Sequence, residues 1–316
     1  MARLRRQETT GSEARHDRHR QIRTAWNDPC AAYEGFMRMA AQGTLDQKIQ
    51  GAVALARGYW GTEDFRRAEQ YFQQAVDAWG TAAQGQQPPG ERTIREQLGD
   101  EAGDAVEKSR DAVAEAKFYL AELVYRRFMA QRVPVYNGGS RRGAFDTWNT
   151  RTFTPYIQNR MQLVEQATRL YTNVIEMHVP NWEIAGAYRL ANMYYQFAVT
   201  IRTAPVPPDI QRNAELLDAW NVVRDERTQP FVNTASTGFQ ACIQRATQVH
   251  WFNEWSQSCE RELNEIDRNR FPLADEIRVQ PTLVFSRPVA SRPVYELQTS
   301  ADTEEEGASG SEQQAN

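Results

Sequence analysis

The sequence predicts an all-α fold in which antiparallel helix pairs follow one another, with long insertions between some of the helices. Three observations point there. Apolar residues recur with a helical period through most of residues 23–281, interrupted by loops rich in Gly, Pro and Gln. Alternating, β-branched runs are scarce, and Thr282 to Phe285 is one short candidate strand. A pattern of small and aromatic residues also returns several times along the chain.

Each element can be justified in order. Residues 1–22 are polar and arginine-rich and are expected to form a disordered basic tail. A partial helix follows, with Ala32, Phe36 and Met39 at small and large positions. The clearest complete unit is AVALARGYWGTEDFRRAEQYFQQAVDAW. Its first helix carries a large, a small and an aromatic residue at Leu55, Ala56 and Tyr59. Its second helix carries small, aromatic, small at Ala68, Phe72 and Ala75, with Phe65 at the turn. Small positions let two helices approach closely, and the bulky ones fill the space between them. The first-helix pattern recurs at Leu120, Ala121, Val124 and again at Leu190, Ala191, Tyr194. The second-helix pattern recurs at Ala167, Tyr171, Val174, closed by Pro180, and at Ala235, Phe239, Cys242.

Between these lie the loops. Residues 81–92, 131–143 and 203–209 have turn composition, and Asp209 is a candidate helix cap. The intervals Leu120–Ala167 and Leu190–Ala235 exceed the Leu55–Ala68 interval by roughly thirty residues each, and 81–113 is a comparable excess. Such insertions collect on one face of a repeat array, often the binding face. From about Arg287 the chain turns polar, then acidic at Glu304, Glu305 and Glu306, so 282–316 is expected to be a disordered acidic tail.

This alternation of two helix signatures resembles the tetratricopeptide repeat (TPR), so the chain is expected to form a TPR-like α-solenoid over residues 23–281. In that family certain first-helix positions line a concave groove. The matching positions here are Val53, Arg57 and Trp60 in the first unit, Phe118, Glu122 and Tyr125 in the second, and Tyr188, Asn192 and Tyr195 in the third. An aromatic stands at the same place in all three units: Trp60, Tyr125 and Tyr195. Exposed, these rings would suit capture of a peptide or helix. The alternative is that the inserted segments fold back and bury this face.

Composition narrows the function classes. Apolar residues make up 41%, aromatic 10% and charged 25%, as in a folded protein with a core. A net charge of −4 argues against a nucleic-acid binder, which would carry a basic stripe. Three of the 37 basic residues are lysines, Lys48, Lys108 and Lys117, and the rest are arginines. That bias is what a GC-rich coding sequence would produce; the functional alternative is arginine chosen for bidentate contact with carboxylates. No window is apolar enough for an integral membrane span; Ala187 to Ile201 comes nearest and is broken by Arg189 and Gln196. The first residues lack the apolar segment of a secretory signal, so the default expectation is cytoplasmic, or periplasmic and envelope-associated if a leader precedes this N-terminus.

The chemistry-bearing residues are sparse. Cys30, Cys242 and Cys259 form no CxxC pair. Cys242 and Cys259 fall on small helix positions and are expected to pack as small buried hydrophobes, because helix axes about 8–10 Å apart rarely bring two cysteines close enough to bridge. His16, His19, His178 and His250 show no ligand spacing, and His178, near Pro180, suits a helix C-terminal cap. The glycine-rich stretch YNGGSRRG (136–143) lacks the residues of a phosphate loop, and no nucleophile-elbow motif occurs. No catalytic, cofactor-binding or metal-ligating set is expected, and an enzyme site within the insertions has nothing to support it.

A narrower resemblance covers 250–278, HWFNEWSQSCERELNEIDRNRFPLADEIR. This stretch is similar to the ends of large TPR proteins of myxobacteria, including those tied to gliding motility. Asn253, Glu254 and Trp255 are expected to start a helix, Phe271 and Pro272 to end one, and 273–278 to fold back as a cap. The resemblance implies an envelope or motility assembly factor. The function expected is therefore a scaffold that docks other proteins or peptides in a groove, with a groove-less structural subunit of an envelope complex as the alternative.

Overall fold

A computed structural model describes residues 35, 43–81, 86–137, 139 and 143–273. Every regular element among them is helical. In chain order they are α1 (Leu45–Gly61), α2 (Phe65–Trp79), α3 (Pro89–Leu98), α4 (Ala102–Ala130), α5 (Ala144–Trp148), α6 (Thr154–Ile175), α7 (Pro180–Arg202), α8 (Pro208–Gln211), α9 (Ala214–Gln248) and α10 (Glu254–Ile266). A 3-10 turn, Gly99–Glu101, leads into α4, and a π turn, Asn149–Phe153, joins α5 to α6. Contacts divide the chain after Leu273, with all described residues on the N-terminal side. Both expected tails, the partial helix at Ala32, Phe36 and Met39, the strand candidate at 282–285 and the stretch 274–278 lie outside the described residues.

Local chemistry sets the helix ends. α2 opens at Asp64, whose carboxylate accepts the Arg67 amide at 3.2 Å. α9 opens at Asn213, whose side chain accepts the Leu216 amide at 3.2 Å. Asp209, the cap expected from sequence, sits inside the short helix α8 instead, because Pro207 and Pro208 start that turn ahead of it. α10 opens with a reciprocal capping box between Asn253 and Ser256. It closes at Ile266, earlier than the Phe271–Pro272 end expected, because the Asp267 carboxylate takes the Asn269 and Arg270 amides in a turn of its own. After α6 and α9 the chain turns through His178 and His250, both left-handed at φ 54 and 51. Their amides donate to Ile175 and Thr247 carbonyls, so His178 does cap a helix, through its backbone.

The insertions are absorbed by helix extension. α4 begins well before its Leu120–Val124 signature, and α6 and α9 begin well before Ala167 and Ala235. α9 carries Pro230, which gives up one helical hydrogen bond. Its buried residues start at Thr228, so the proline marks where the exposed N-terminal half passes into the packed half. The two insertions meet: Phe145 of α5 packs edge-on to Trp220 of α9 at 6.3 Å, beside Tyr136, Trp148 and Phe153. Arg160 lies buried beneath, donating to the Phe128 carbonyl at 2.8 Å and to that of Gln131 at 3.3 Å, which caps the C-terminal end of α4.

Each of the long helices α1, α2, α4, α6, α7, α9 and α10 packs against the next. The alternate helices α1, α4, α7 and α10 also touch in sequence. Ala68, Ala167 and Ala235 are fully buried, as are the rings four residues on, Phe72, Tyr171 and Phe239. Close approach decides two glycines. A β-carbon on Gly90 would stand 2.7 Å from the Trp79 Cα, so α3 can lie against the end of α2 only with glycine there. A β-carbon on Gly238 would stand 2.9 Å from that of Ala191, which sets the contact of α9 with α7.

The cysteines overturn an expectation. Cys242 and Cys259 form a disulfide between α9 and α10, with Cα atoms 6.6 Å apart. The spacing rule used for generic helix pairs fails here because both residues occupy small, facing positions. With no bulky side chain between them, the two backbones come within bridging range.

Candidate functional site

The nine expected groove residues do not share one open surface. Val53, Phe118, Glu122 and Asn192 are buried, and the rings of Trp60, Tyr125, Tyr188 and Tyr195 are half-buried. In the second and third units the space is taken by α10 rather than by the insertions. Trp255 of α10 stands 5.8 Å from Phe118 and 5.7 Å from Tyr188, and Glu262 accepts from Asn192 Nδ2 at 3.2 Å and from the Tyr188 hydroxyl at 3.5 Å.

These residues form one connected polar network across α4, α6, α7 and α10. Arg189 donates to Glu122 through Nε at 2.7 Å and Nη2 at 3.1 Å, a bidentate pair that fixes both side chains. The Tyr171 hydroxyl donates to the same carboxylate at 2.6 Å. The guanidinium of Arg189 lies over Tyr125 at 4.4 Å and over Trp255 at 4.9 Å, so aromatic faces cover what the carboxylate leaves open. The Tyr125 hydroxyl donates to Asn192 Oδ1 at 3.0 Å, so the ring beneath Arg189 leads on through Asn192 to Glu262. Burial pushes the Tyr171 hydroxyl well above its ordinary range, and the Glu122 charge adds to the effect. Burial, with Glu262 adding to it, pushes Tyr188 up to about 12. Burial also raises Glu262, against the hydrogen bonds from Tyr188 and Asn192. With its donors and acceptors matched internally, the network is suited to holding α4, α7 and α10 together rather than to proton transfer.

The first unit differs. Between α1 and α4 an open cleft of about 650 Å³ is lined by Gln47, Gln50, Val53 and Arg57 on one wall and by Asp104, Glu107, Lys108 and Asp111 on the other. Arg57, half-exposed, makes a bidentate pair with Glu115, which is buried behind it. The hydrogen bonds that Arg57 donates to Glu115 raise its pKa, so the guanidinium stays charged at the cleft edge. Trp60 lies deeper, 4.8 Å from Tyr119 and 5.0 Å from Phe65, within the core of the pair rather than in the cleft. Tyr195 lines a separate hollow of about 280 Å³ with Arg202, Glu265 and Arg270.

Arg189, Trp255, Glu262 and Glu115 are the residues that sequence reasoning missed. Arg189 had left a trace, as a charge inside an otherwise apolar helical run. Among the described residues no group of three His, Cys, Asp or Glu side chains is placed to hold a metal ion, and no helix is long and apolar enough to cross a membrane. Comparisons with protein-family models, with curated proteins and with solved structures return no match.

Proposed function

We propose that the chain is a scaffold of TPR-like helix pairs that docks a segment of another protein in the cleft between α1 and α4. The single observation that carries this is the cleft itself, which Arg57 edges from a position the repeat pattern assigns to ligand contact, with Val53 buried behind its surface. Consecutive packing of α1, α2, α4, α6, α7, α9 and α10, with α1, α4, α7 and α10 also in mutual contact, supports the repeat architecture. Two glutamines and Arg57 on one wall face Asp104, Glu107, Lys108 and Asp111 on the other, so the cleft suits a polar segment that carries both signs of charge. The rigid part around Arg189 and Glu122 then holds the cleft's α4 wall in place.

The test is a photo-crosslinking amino acid at Gln50, in the cleft, compared with one at Gln244 on the exposed face of α9. In native cells the cleft position is expected to capture a distinct protein that the control does not, and Gln50→Trp to abolish its co-purification. Identical products from both positions would overturn the proposal.

A second reading, a structural subunit of a cell-envelope assembly of the gliding-motility type, is favoured by one observation. The Cys242–Cys259 bridge is of a kind that persists in oxidising compartments and is rare in reducing cytosol. Recovering the native protein only from cytosol, with both thiols free, would remove it.

A further inference from the structure

Lys117 and Lys108, both on α4, have different surroundings. Only three lysines occur among 37 basic residues, and elsewhere the chain uses arginine. Lys108 is exposed and pairs with Asp104 at 2.6 Å. Lys117, on α4, is half-buried, and its ammonium donates to the thioether sulfur of Met177 at 3.3 Å. A thioether is a weak acceptor and carries no charge to balance the ammonium. Among the described residues no carboxylate lies within ion-pair distance of it. Glu91, which lines the same cleft from α3, is already held by Arg95 at 2.9 Å and by Arg110 at 3.0 Å. Glu176, at the end of α6, acts on it only through space, and His178 lies beyond.

The amine opens into a cleft of about 730 Å³ between α2, α4 and α6. Val76, Leu120, Leu170 and Met177 give this cleft an apolar patch beside the amine, and the rest of its lining is polar or charged, with Gln73, Gln87, Arg110 and Asn173 among it. Burial pulls the ammonium below the ordinary lysine range, and the field of Glu176 opposes this only partly. The neutral, nucleophilic amine is therefore more populated at neutral pH than in an exposed lysine.

We propose that Lys117 is a covalent acceptor site that holds a small aldehyde-bearing ligand with a short apolar tail as an imine in this cleft. The neutral amine attacks the carbonyl carbon, a C–N bond forms, and the carbonyl oxygen leaves as water with the two amine protons. The step needs no oxidant or reductant. The apolar tail would lie against Leu120 and Leu170, and the reversible imine would be protected by its partial burial.

The test uses the full chain at pH 7 with limiting butanal and cyanoborohydride, which delivers hydride to any imine and fixes it as a secondary amine. Peptide mapping then compares the three lysines within one molecule. Lys117, whose amine opens into the cleft without a paired carboxylate, is expected to be alkylated severalfold more than Lys108, which is exposed and paired with Asp104. Met177→Glu should cut Lys117 labelling severalfold by supplying the missing carboxylate, while Met177→Leu should preserve it. Alkylation of Lys117 no greater than that of Lys108 in the wild-type chain would overturn the proposal without recourse to any variant. Labelling unchanged by Met177→Glu in a chain that keeps its helical circular dichroism would do the same.

Discussion

Breaking the Cys242–Cys259 bridge should destabilise the fold by an amount set by the loop it closes. The cysteines are separated by 17 residues in sequence. Cross-linking a loop of that size removes about 3 kcal/mol of chain entropy from the unfolded state. The bridge also fastens α10, whose Trp255 and Glu262 complete the network with α4 and α7. Urea unfolding of oxidised and pre-reduced protein, followed by circular dichroism, measures the difference. With a slope of about 1–3 kcal/mol/M, the midpoint should fall by about 1–3 M. Cys242→Ala with Cys259→Ala should match the reduced chain, apart from the two small cavities left by the sulfurs. Thiol titration of the denatured, unreduced chain should find neither Cys242 nor Cys259 reactive until a reductant is added. Both thiols reactive without reductant, or superimposable unfolding curves, would refute the reasoning.

Three further outcomes follow from the packing. Arg189→Met should cost about 3 kcal/mol by leaving Glu122 buried and unpaired, and adding Glu122→Gln should recover part of the loss, as a double-mutant cycle in urea would show. Gly90→Ala should destabilise by about 1–3 kcal/mol, because its new methyl meets the backbone of Trp79 and cannot be relieved by a rotamer change; thermal melts against Gly103→Ala, where a β-carbon meets nothing within 4 Å, provide the control. The folded-state pKa of Glu262 is raised by burial, so its contribution to stability is full below the unfolded carboxylate pKa and is lost as pH rises through the folded value. Glu262→Gln should therefore raise the melting temperature more at pH 7 than at pH 4.

Much of the fold was legible because one spacing governs helix contact. Alanine at 68, 167 and 235, each with a ring four residues on, can be read from sequence, since any other arrangement would leave those rings in water. The helix caps were less legible: Asp209 and Asn213 are both good caps by type, and Pro207 and Pro208 decide between them through backbone geometry. The site was legible only in part. Arg57 reaches a cleft, but Phe118, Glu122 and Asn192 meet α10 or residues that α10 covers, and its path across them has no periodic signature.

The sequence by itself determined the helical character of the described residues, the order of their helix signatures and the small positions at which the helices touch, because these follow from residue size and period within short windows. Only the tertiary structure decided which face stays open. It carried Trp255 and Glu262 onto residues more than sixty positions earlier, joined Cys242 to Cys259, and left Lys117 facing a thioether instead of a carboxylate. Such pairings depend on how helix angles accumulate from one contact to the next, and no local pattern records that sum.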